Sequence, residues 1–204
     1  MYNKCQQPFC EVPEAALDRL TELISRQIGL QLPNSRRKDL LRGTIALAQE
    51  EGTDIDTLLH TLNDEPLSAH QIRVLSEHLT IGETYFFRER KSLNAFKNHI
   101  LPEVMRRRTK AGIQRIKIWS AGCSTGEEAY TIAIILDELL SGSSAWHIDI
   151  LATDLNPQSL KKAQSGIYTK WSFRGMPNPI RERYFSPLDN KAFAIDPRIK
   201  KMVT

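Results

Sequence analysis

The sequence has few cysteines, no long apolar run and no basic-then-apolar segment at its start. Three cysteines in 204 residues, an odd number, argue against a disulfide framework and suit a reducing compartment. Cys5 and Cys10 have no second Cys/His pair nearby, so zinc is not expected and no metal ligand is assigned. No stretch reaches the roughly 18 apolar residues that a membrane-crossing helix needs. A basic-then-apolar signal segment is missing too. The expectation is a cytoplasmic protein without membrane insertion. Internal repeats and low-complexity tracts are also missing. What is there is ordinary for a soluble globular chain: 41% hydrophobic, 25% charged, and long enough for one or two domains. A net charge of +4 favours an acidic protein partner or nucleic acid.

The stretch from Ile116 to Tyr130 organises the rest. Ile116, Ile118 and Trp119 read as a buried strand. Gly122 and Gly126 let the backbone turn sharply and approach a ligand. Ser124 with Glu127, and Thr125 with Glu128, both match the Ser/Thr-x-x-Glu box that opens a helix. That helix continues through Ile132, Ala133, Leu136, Leu139 and Leu140. Strand, glycine turn and helix in this order make the nucleotide-cofactor corner of an α/β sheet. The turn has no Lys, and its Gly-x-x-x-Gly spacing fits neither the dinucleotide fingerprint nor the Walker loop. Two carboxylates stand where phosphates would sit. Two readings follow: the glutamates only cap the helix, or they meet a ligand with an amino group or a sulfonium. S-adenosylmethionine has both groups.

His147 to Thr153 reads as a second strand ending at Asp154. Asn156 and Pro157 then open another helix, one as cap and one as first helical residue. An acidic residue at that strand tip is where α/β nucleotide folds hold ribose hydroxyls. By itself Asp154 would as readily cap the next turn; after this glycine turn the ribose role is favoured. Cys123 lies close to a helix start, where a thiol pKa falls. No His is near in sequence to serve it, so a nucleophilic cysteine is a poor second reading.

Ahead of these elements the pattern is helical. Residues 1–12 read as a loose tail. Leu17, Leu20, Ile24 and Ile28 mark a first amphipathic helix, stopped by Gly29. A second starts at Asn34 or Ser35 and runs to Gly52, a third spans Ile55 to Leu62, and Ser68 caps a fourth through Leu79. Together they form an all-α domain over 13–80. Residues 81–110 read as a linker and connecting helix with a kink or break at Pro102, and 111–204 as the α/β part. Arg106, Arg107 and Arg108 suit a helix C-terminus. Ser141 to Ser144 is a plain loop. Farther on, Tyr168, Trp171 and Phe173 read as packing residues, Pro179 to Phe185 as a short helix, and Lys191 to Ile195 as a strand.

Trp119 to Tyr130, Ala152 to Leu155 (Ala-Thr-Asp-Leu) and Thr84 to Arg88 (Thr-Tyr-Phe-Phe-Arg) together resemble the CheR family over roughly residues 14–204. These are bacterial chemotaxis enzymes that methylate chemoreceptor glutamates with S-adenosylmethionine, leaving S-adenosylhomocysteine. The resemblance implies an N-terminal all-α domain followed by a Rossmann-like methyltransferase domain. It implies that Arg88 lies near the transferred methyl group as the catalytic cation and that Thr84 meets the methionine part. Glu128 and Gly122 would contact and make room for the cofactor, and Asp154 would hold its ribose. The basic residues Arg36, Arg37, Lys38 and Arg42 would dock the acidic methylation helix of the receptor's cytoplasmic domain; a plain solvated face is the other reading of them. Here the basic face is shorter than usual, because Gly43, Thr44 and Ala46 follow. Gly82 stands where the family often has Asn, so one polar contact is expected to pass to water or to Glu83. A small antiparallel subdomain, able to bind a receptor tail peptide, is expected after Gly166.

A doubly wound methyltransferase sheet needs about seven strands, and two are legible. The family's later Asn-Leu and Arg-Asn motifs do not occur, so the sequence reads as the N-terminal portion of the enzyme, truncated after its first strands and weak or inactive alone. The expected chemistry is direct attack of an ionised glutamate on the sulfonium methyl, with no general base. A non-catalytic cofactor- or receptor-binding module is the alternative. A nucleic-acid methyltransferase is disfavoured: no Asn-Pro-Pro-Tyr-like motif occurs, and Asn178-Pro179 has no aromatic after it.

Overall fold

The computed structural model describes residues 12–64, 66–140 and 145–204. The expected tail up to Glu11, with Cys5 and Cys10, and the Ser141–Ser144 loop lie outside the described residues. The chain divides into two units, one up to Ile81 and one from Gly82 to Thr204.

Among the described residues the first unit is helical: α1 (Glu14–Ile28), α2 (Arg37–Glu51), α3 (Ile55–Asp64) and α4 (Ala69–Leu79). Leu17, Leu20, Ile24, Leu40, Leu47, Leu58, Leu75 and Leu79 form its core. Each such side chain stabilises the fold by about 1.5–3 kcal/mol through burial. Ser68 caps α4 with a full capping box, taking the Gln71 N–H while the Gln71 side chain takes the Ser68 N–H. α2 starts later than its caps suggest. Asn34–Arg36 close a 3₁₀ turn first, with the Arg36 N–H on the Pro33 carbonyl. Gly43 and Thr44, which interrupt the basic face, are buried where α2 meets α4. A Cβ on Gly43 would lie 3.3 Å from that of His78.

In the second unit, the stretch expected to be a linker and connecting helix contributes Phe86 and Leu101 to the buried core. α5 (Arg90–Ala95) passes through a π-turn (Phe96–Ile100) into α6 (Leu101–Lys110). Of the two expectations for Pro102, the break is the one seen: it stands at the opening of α6. The widened turn, in which the Leu101 N–H reaches the Phe96 carbonyl, accommodates a residue with no N–H to give.

β1 (Arg115–Ala121) and β2 (His147–Thr153) pair in parallel, from Arg115 opposite His147 to Ala121 opposite Thr153. Between them runs α7 (Glu127–Leu140), buried on nearly all sides. The sequence pattern shows two strands, yet residues 202–204 also join the sheet. Ile150 donates to Met202, and Thr204 donates back to Ile150 at 2.9 Å. Three residues are too few to carry a strand period.

After β2 come α8 (Pro157–Ser165), β3 (Ile167–Thr169), a 3₁₀ turn (Lys170–Phe173), α9 (Asn178–Tyr184), β4 (Phe185–Pro187), β5 (Ala192–Ile195) and α10 (Pro197–Lys200). β3, β5 and β4 form an antiparallel sheet in that order. Asn156 caps α8 as its sequence suggests, and α10, capped by Asp196, packs on α7. Tyr168 and Phe173 are core residues, with Phe86 stacked on Phe173. Trp171 is not: it is 70% exposed.

Candidate functional site

The ends of the two parallel strands are stitched together at one point. The N–H groups of Gly122 and Cys123 both donate to the Thr153 carbonyl, at 2.8 and 2.9 Å. Asp154 comes next and takes two backbone donors. Its Oδ2 accepts the Ser124 N–H at 2.7 Å and its Oδ1 the Asn156 N–H at 2.8 Å. A carboxylate oxygen has two lone pairs, so each retains capacity for another donor. Asp154 thus fixes the turn, and it stays half-buried with acceptor capacity left.

The turn depends on its glycines. Gly122 has φ +74°, and a Cβ there would meet nothing within 4 Å, so this backbone faces open space. Gly126 has φ +93°, and a Cβ would stand 2.9 Å from the Ala163 Cβ and 3.0 Å from the Tyr168 hydroxyl. Open space at one glycine and contact at the other define a cradle with one free side.

Neither expected capping box forms. Ser124 adopts φ +50°, and its hydroxyl donates to the Gly82 carbonyl instead of accepting from the helix. Thr125 donates to the Glu127 side chain. Glu127 is 1% exposed and also takes the Ser172 hydroxyl at 3.0 Å. Glu128 stays exposed and is oriented by the Ser120 hydroxyl at 2.7 Å. The two glutamates therefore have different work: one is built into the core, and the other is presented at the surface.

Cys123 departs from its expected chemistry. Burial, with the Asp154 carboxylate adding to it, pushes the thiol up to about 11 instead of down. It is protonated and inert at neutral pH, which removes the nucleophilic-cysteine reading.

A strip of chain from Gly82 to Arg90 is fastened to this turn. Ser124 holds the Gly82 carbonyl, the Phe86 N–H donates to Ser172 O, and the Phe87 N–H donates to the Thr131 hydroxyl at 3.2 Å. Thr84, half-buried, lies between these fastenings. Arg88 follows Phe87, whose φ is +60°, and its guanidinium donates to the Glu83 carbonyl at 2.6 Å. The Glu83 carboxylate pairs with Arg174 at 3.3 Å. The cleft of about 560 Å³ beside the strip is lined by Tyr85, Arg88, Arg90, Lys91 and Arg174, among others.

Gly122, Glu128 and Asp154 thus meet at one turn, with the Thr84–Arg88 strip anchored to it. Arg36, Arg37, Lys38 and Arg42 belong to the other unit. Arg36 bonds Asp39 and the Leu79 carbonyl that ends α4, and Arg37 pairs with Asp18. Lys38 and Arg42 are exposed, Arg42 reaching Asp39 at 3.3 Å. Arg106 and Arg107 are paired with Glu103, which these bonds lower to about 2. The sequence reading missed Ser120, Ser172 and Arg174; the partners of the last two lie 45 and 91 positions away. Only the isolated Trp171-x-x-Arg174-Gly175 spacing hints at the last.

The residues suit S-adenosylmethionine. Open backbone at Gly122, an oriented exposed carboxylate at Glu128 and a half-buried acid at Asp154 offer acceptors to amino and hydroxyl groups and a negative field to a sulfonium. Among the described residues, no three His, Cys, Asp or Glu side chains gather as metal ligands would. Likewise, no described helix is long and apolar enough to cross a membrane.

Comparison with known proteins agrees with this geometry. Residues 82–204 match the family model described as CheR methyltransferase, SAM binding domain. Over 188 residues the chain is 30% identical to the chemotaxis protein methyltransferase of Borreliella burgdorferi, covering 92% of this chain and 66% of that protein. It is 33% identical over 142 residues to a probable chemotaxis protein methyltransferase of Rhizobium etli, covering 68% and 52%. Chemotaxis protein methyltransferase 2 of Vibrio cholerae is 35% identical over 119 residues, covering 58% and 40%. The chain thus spans between 40% and 66% of the length of these relatives.

Proposed function

The chain belongs to the CheR methyltransferase family, whose matched domain binds S-adenosylmethionine, and from that premise we propose that it serves methylation of glutamate side chains on a chemoreceptor. The products are glutamate methyl esters and S-adenosylhomocysteine. One observation carries this reading. Three chain segments, 82–88, 120–128 and 153–156, are tied at one turn by the Ser124–Gly82, Ser124–Asp154 and Thr153 bonds.

When bound, S-adenosylmethionine supplies an electrophilic methyl on sulfur. Asp154 takes ribose hydroxyls with the lone pairs left by its two backbone donors. Glu128, oriented by Ser120, faces the cofactor, and Gly122 leaves room for it. Thr84 offers a hydroxyl to the methionine part. Arg88 orients either the methionine carboxylate or the acceptor glutamate. That glutamate is already ionised at pH 7, so no side chain has to remove a proton. The work of this chain is positioning. Cys123, protonated, takes no part.

Lys38 and Arg42, the most exposed of the four cations, are the first candidates for meeting the acidic receptor helix, and Arg37 would have to leave Asp18 to join them; Arg36 is bonded to the Leu79 carbonyl within its own unit. An edge strand of the β3–β5–β4 sheet offers a place for a receptor tail peptide to add by strand pairing.

The test is calorimetric titration of S-adenosylhomocysteine into the chain, with Asp154→Ala and Arg88→Ala beside it. Micromolar binding weakened in both variants supports the reading, and transfer of labelled methyl to a receptor cytoplasmic fragment tests the reaction itself. A folded wild-type chain that binds nothing would remove the cofactor assignment.

A further inference from the structure

We propose that Arg174 is a positioning residue for the Thr84–Arg88 strip, and that with Gly175 it forms a clasp setting where Arg88 stands. The proposal rests on the cofactor reading above for its consequence, though not for its geometry. The Arg174 guanidinium lies 3.9 Å from the Tyr85 ring centroid and 4.4 Å from that of Trp171. Its Nη2 meets Glu83 Oε1 at 3.3 Å, and its Nη1 donates to the Trp171 carbonyl at 3.0 Å. The Arg174 side chain is 23% exposed, against 66% for that of Glu83. A planar cation that stacks on rings while pairing with a carboxylate uses features a lysine lacks.

Gly175 closes the same contact from the backbone. Its carbonyl takes Arg90 Nη2 at 2.9 Å. A Cβ on it would come 2.6 Å from the Phe86 carbonyl and 2.8 Å from the Tyr85 ring. The strip is therefore gripped at Glu83, Tyr85, Phe86 and Arg90 by five residues, 171–175. Inside that grip Phe87 sits at φ +60°, a conformation a bulky side chain holds only when its surroundings impose it. Arg88 is the next residue. Its direction depends on Phe87, which is held between the Thr131 hydroxyl and the clasped Phe86.

This also accounts for Trp171, a large apolar residue left 70% exposed. It forms one side of the stack that keeps Arg174 flat over Tyr85.

The experiment compares wild type, Arg174→Ala, Arg174→Lys and Gly175→Ala by three measurements on the same samples. These are the thermal midpoint, S-adenosylhomocysteine affinity, and trypsin cleavage after Arg88 and Arg90 followed by mass spectrometry. Arg174→Ala is expected to raise cleavage after Arg88 about tenfold and to lower affinity about tenfold, with the midpoint little changed, because loosening stays local. Arg174→Lys keeps the ion pair without the stack and should fall between wild type and Arg174→Ala. Gly175→Ala should shift cleavage the same way by pushing on Phe86 and Tyr85. A folded Arg174→Ala with wild-type cleavage and affinity overturns the proposal. So does cleavage that rises equally after Arg19 and Arg115, which would mark general loss of structure. If wild type binds no S-adenosylhomocysteine the cofactor reading falls, and the cleavage pattern still decides whether the clasp exists.

Discussion

The surface of the helical unit and the glycine turn of the α/β unit handle charge in different ways. In the helical unit, cations meet carboxylates at the surface: Arg37 with Asp18, Arg36 with Asp39, Arg73 with Glu50 and Glu77. Around the turn of the α/β unit, carboxylates meet neutral donors. Glu127 takes Thr125 and Ser172, Glu128 takes Ser120, and Asp154 takes two backbone N–H groups. Exposed ion pairs are each worth about 0–1 kcal/mol and cancel charge locally. Carboxylates held by neutral donors are oriented without being cancelled. A negative field remains beside the open backbone of Gly122, where an amino group or sulfonium gains from it. At this turn, unlike at those surface pairs, the acids keep their charge uncancelled.

The sharpest way to break that contrast is to displace the turn. Gly126→Ala combines an unfavourable positive φ with a Cβ pressed on Ala163 and Tyr168. It should lower stability by about 3 kcal/mol in urea denaturation, from overpacking and backbone strain together. A loss under about 1 kcal/mol would mean that the turn yields easily and is no rigid cradle. Asp154→Ala comes next. It leaves the Ser124 and Asn156 N–H groups without their acceptor and should cost about 1–3 kcal/mol, together with S-adenosylhomocysteine binding. Wild-type stability with binding lost would assign Asp154 to the ligand alone.

A smaller effect concerns Cys123. Its folded pKa of about 11 lies above the ordinary 9.0. Stability attached to the neutral thiol is therefore intact below pH 9.0 and is lost as pH rises toward about 11. Alkylation of Cys123 at pH 8, read by mass spectrometry, should run about 100-fold slower folded than in urea. Comparable rates in the two states would show the thiol to be open, and the turn looser than described.

What the sequence reveals follows the range of each signal. The Asn156 cap and the Ser68 capping box are local, and the pattern names them correctly. Strand, turn, helix and second strand are likewise local. The paired capping boxes at Ser124 and Thr125 were a false match, because residue spacing does not disclose that Ser124 adopts φ +50°. Longer-range partners leave no period at all. Ser172 reaches Glu127 across 45 positions, and Arg174 reaches Glu83 across 91. Resemblance can suggest that Thr84 and Arg88 matter. It says nothing of the clasp that fixes them, nor of the hydroxyl on Ser120 that separates the role of Glu128 from that of Glu127.

The smallest stability effects belong to the helical unit, and there the contrast can be sharpened rather than broken. Arg36 gives one bond to Asp39 and another to the Leu79 carbonyl, partly buried at the end of α4. Arg36→Ala should cost about 1 kcal/mol through the lost bond to the carbonyl. Arg37→Ala, Lys38→Ala and Arg42→Ala should each stay within about 0.5 kcal/mol, since exposed pairs contribute little. Binding should rank the other way. If Lys38 and Arg42 meet an acidic receptor helix, Lys38→Glu with Arg42→Glu weakens capture of that helix at low salt, while Arg36→Ala spares it. The difference should shrink as salt screens the charges. Equal loss in both variants, or loss insensitive to salt, would mean that these cations serve only the fold of their own unit.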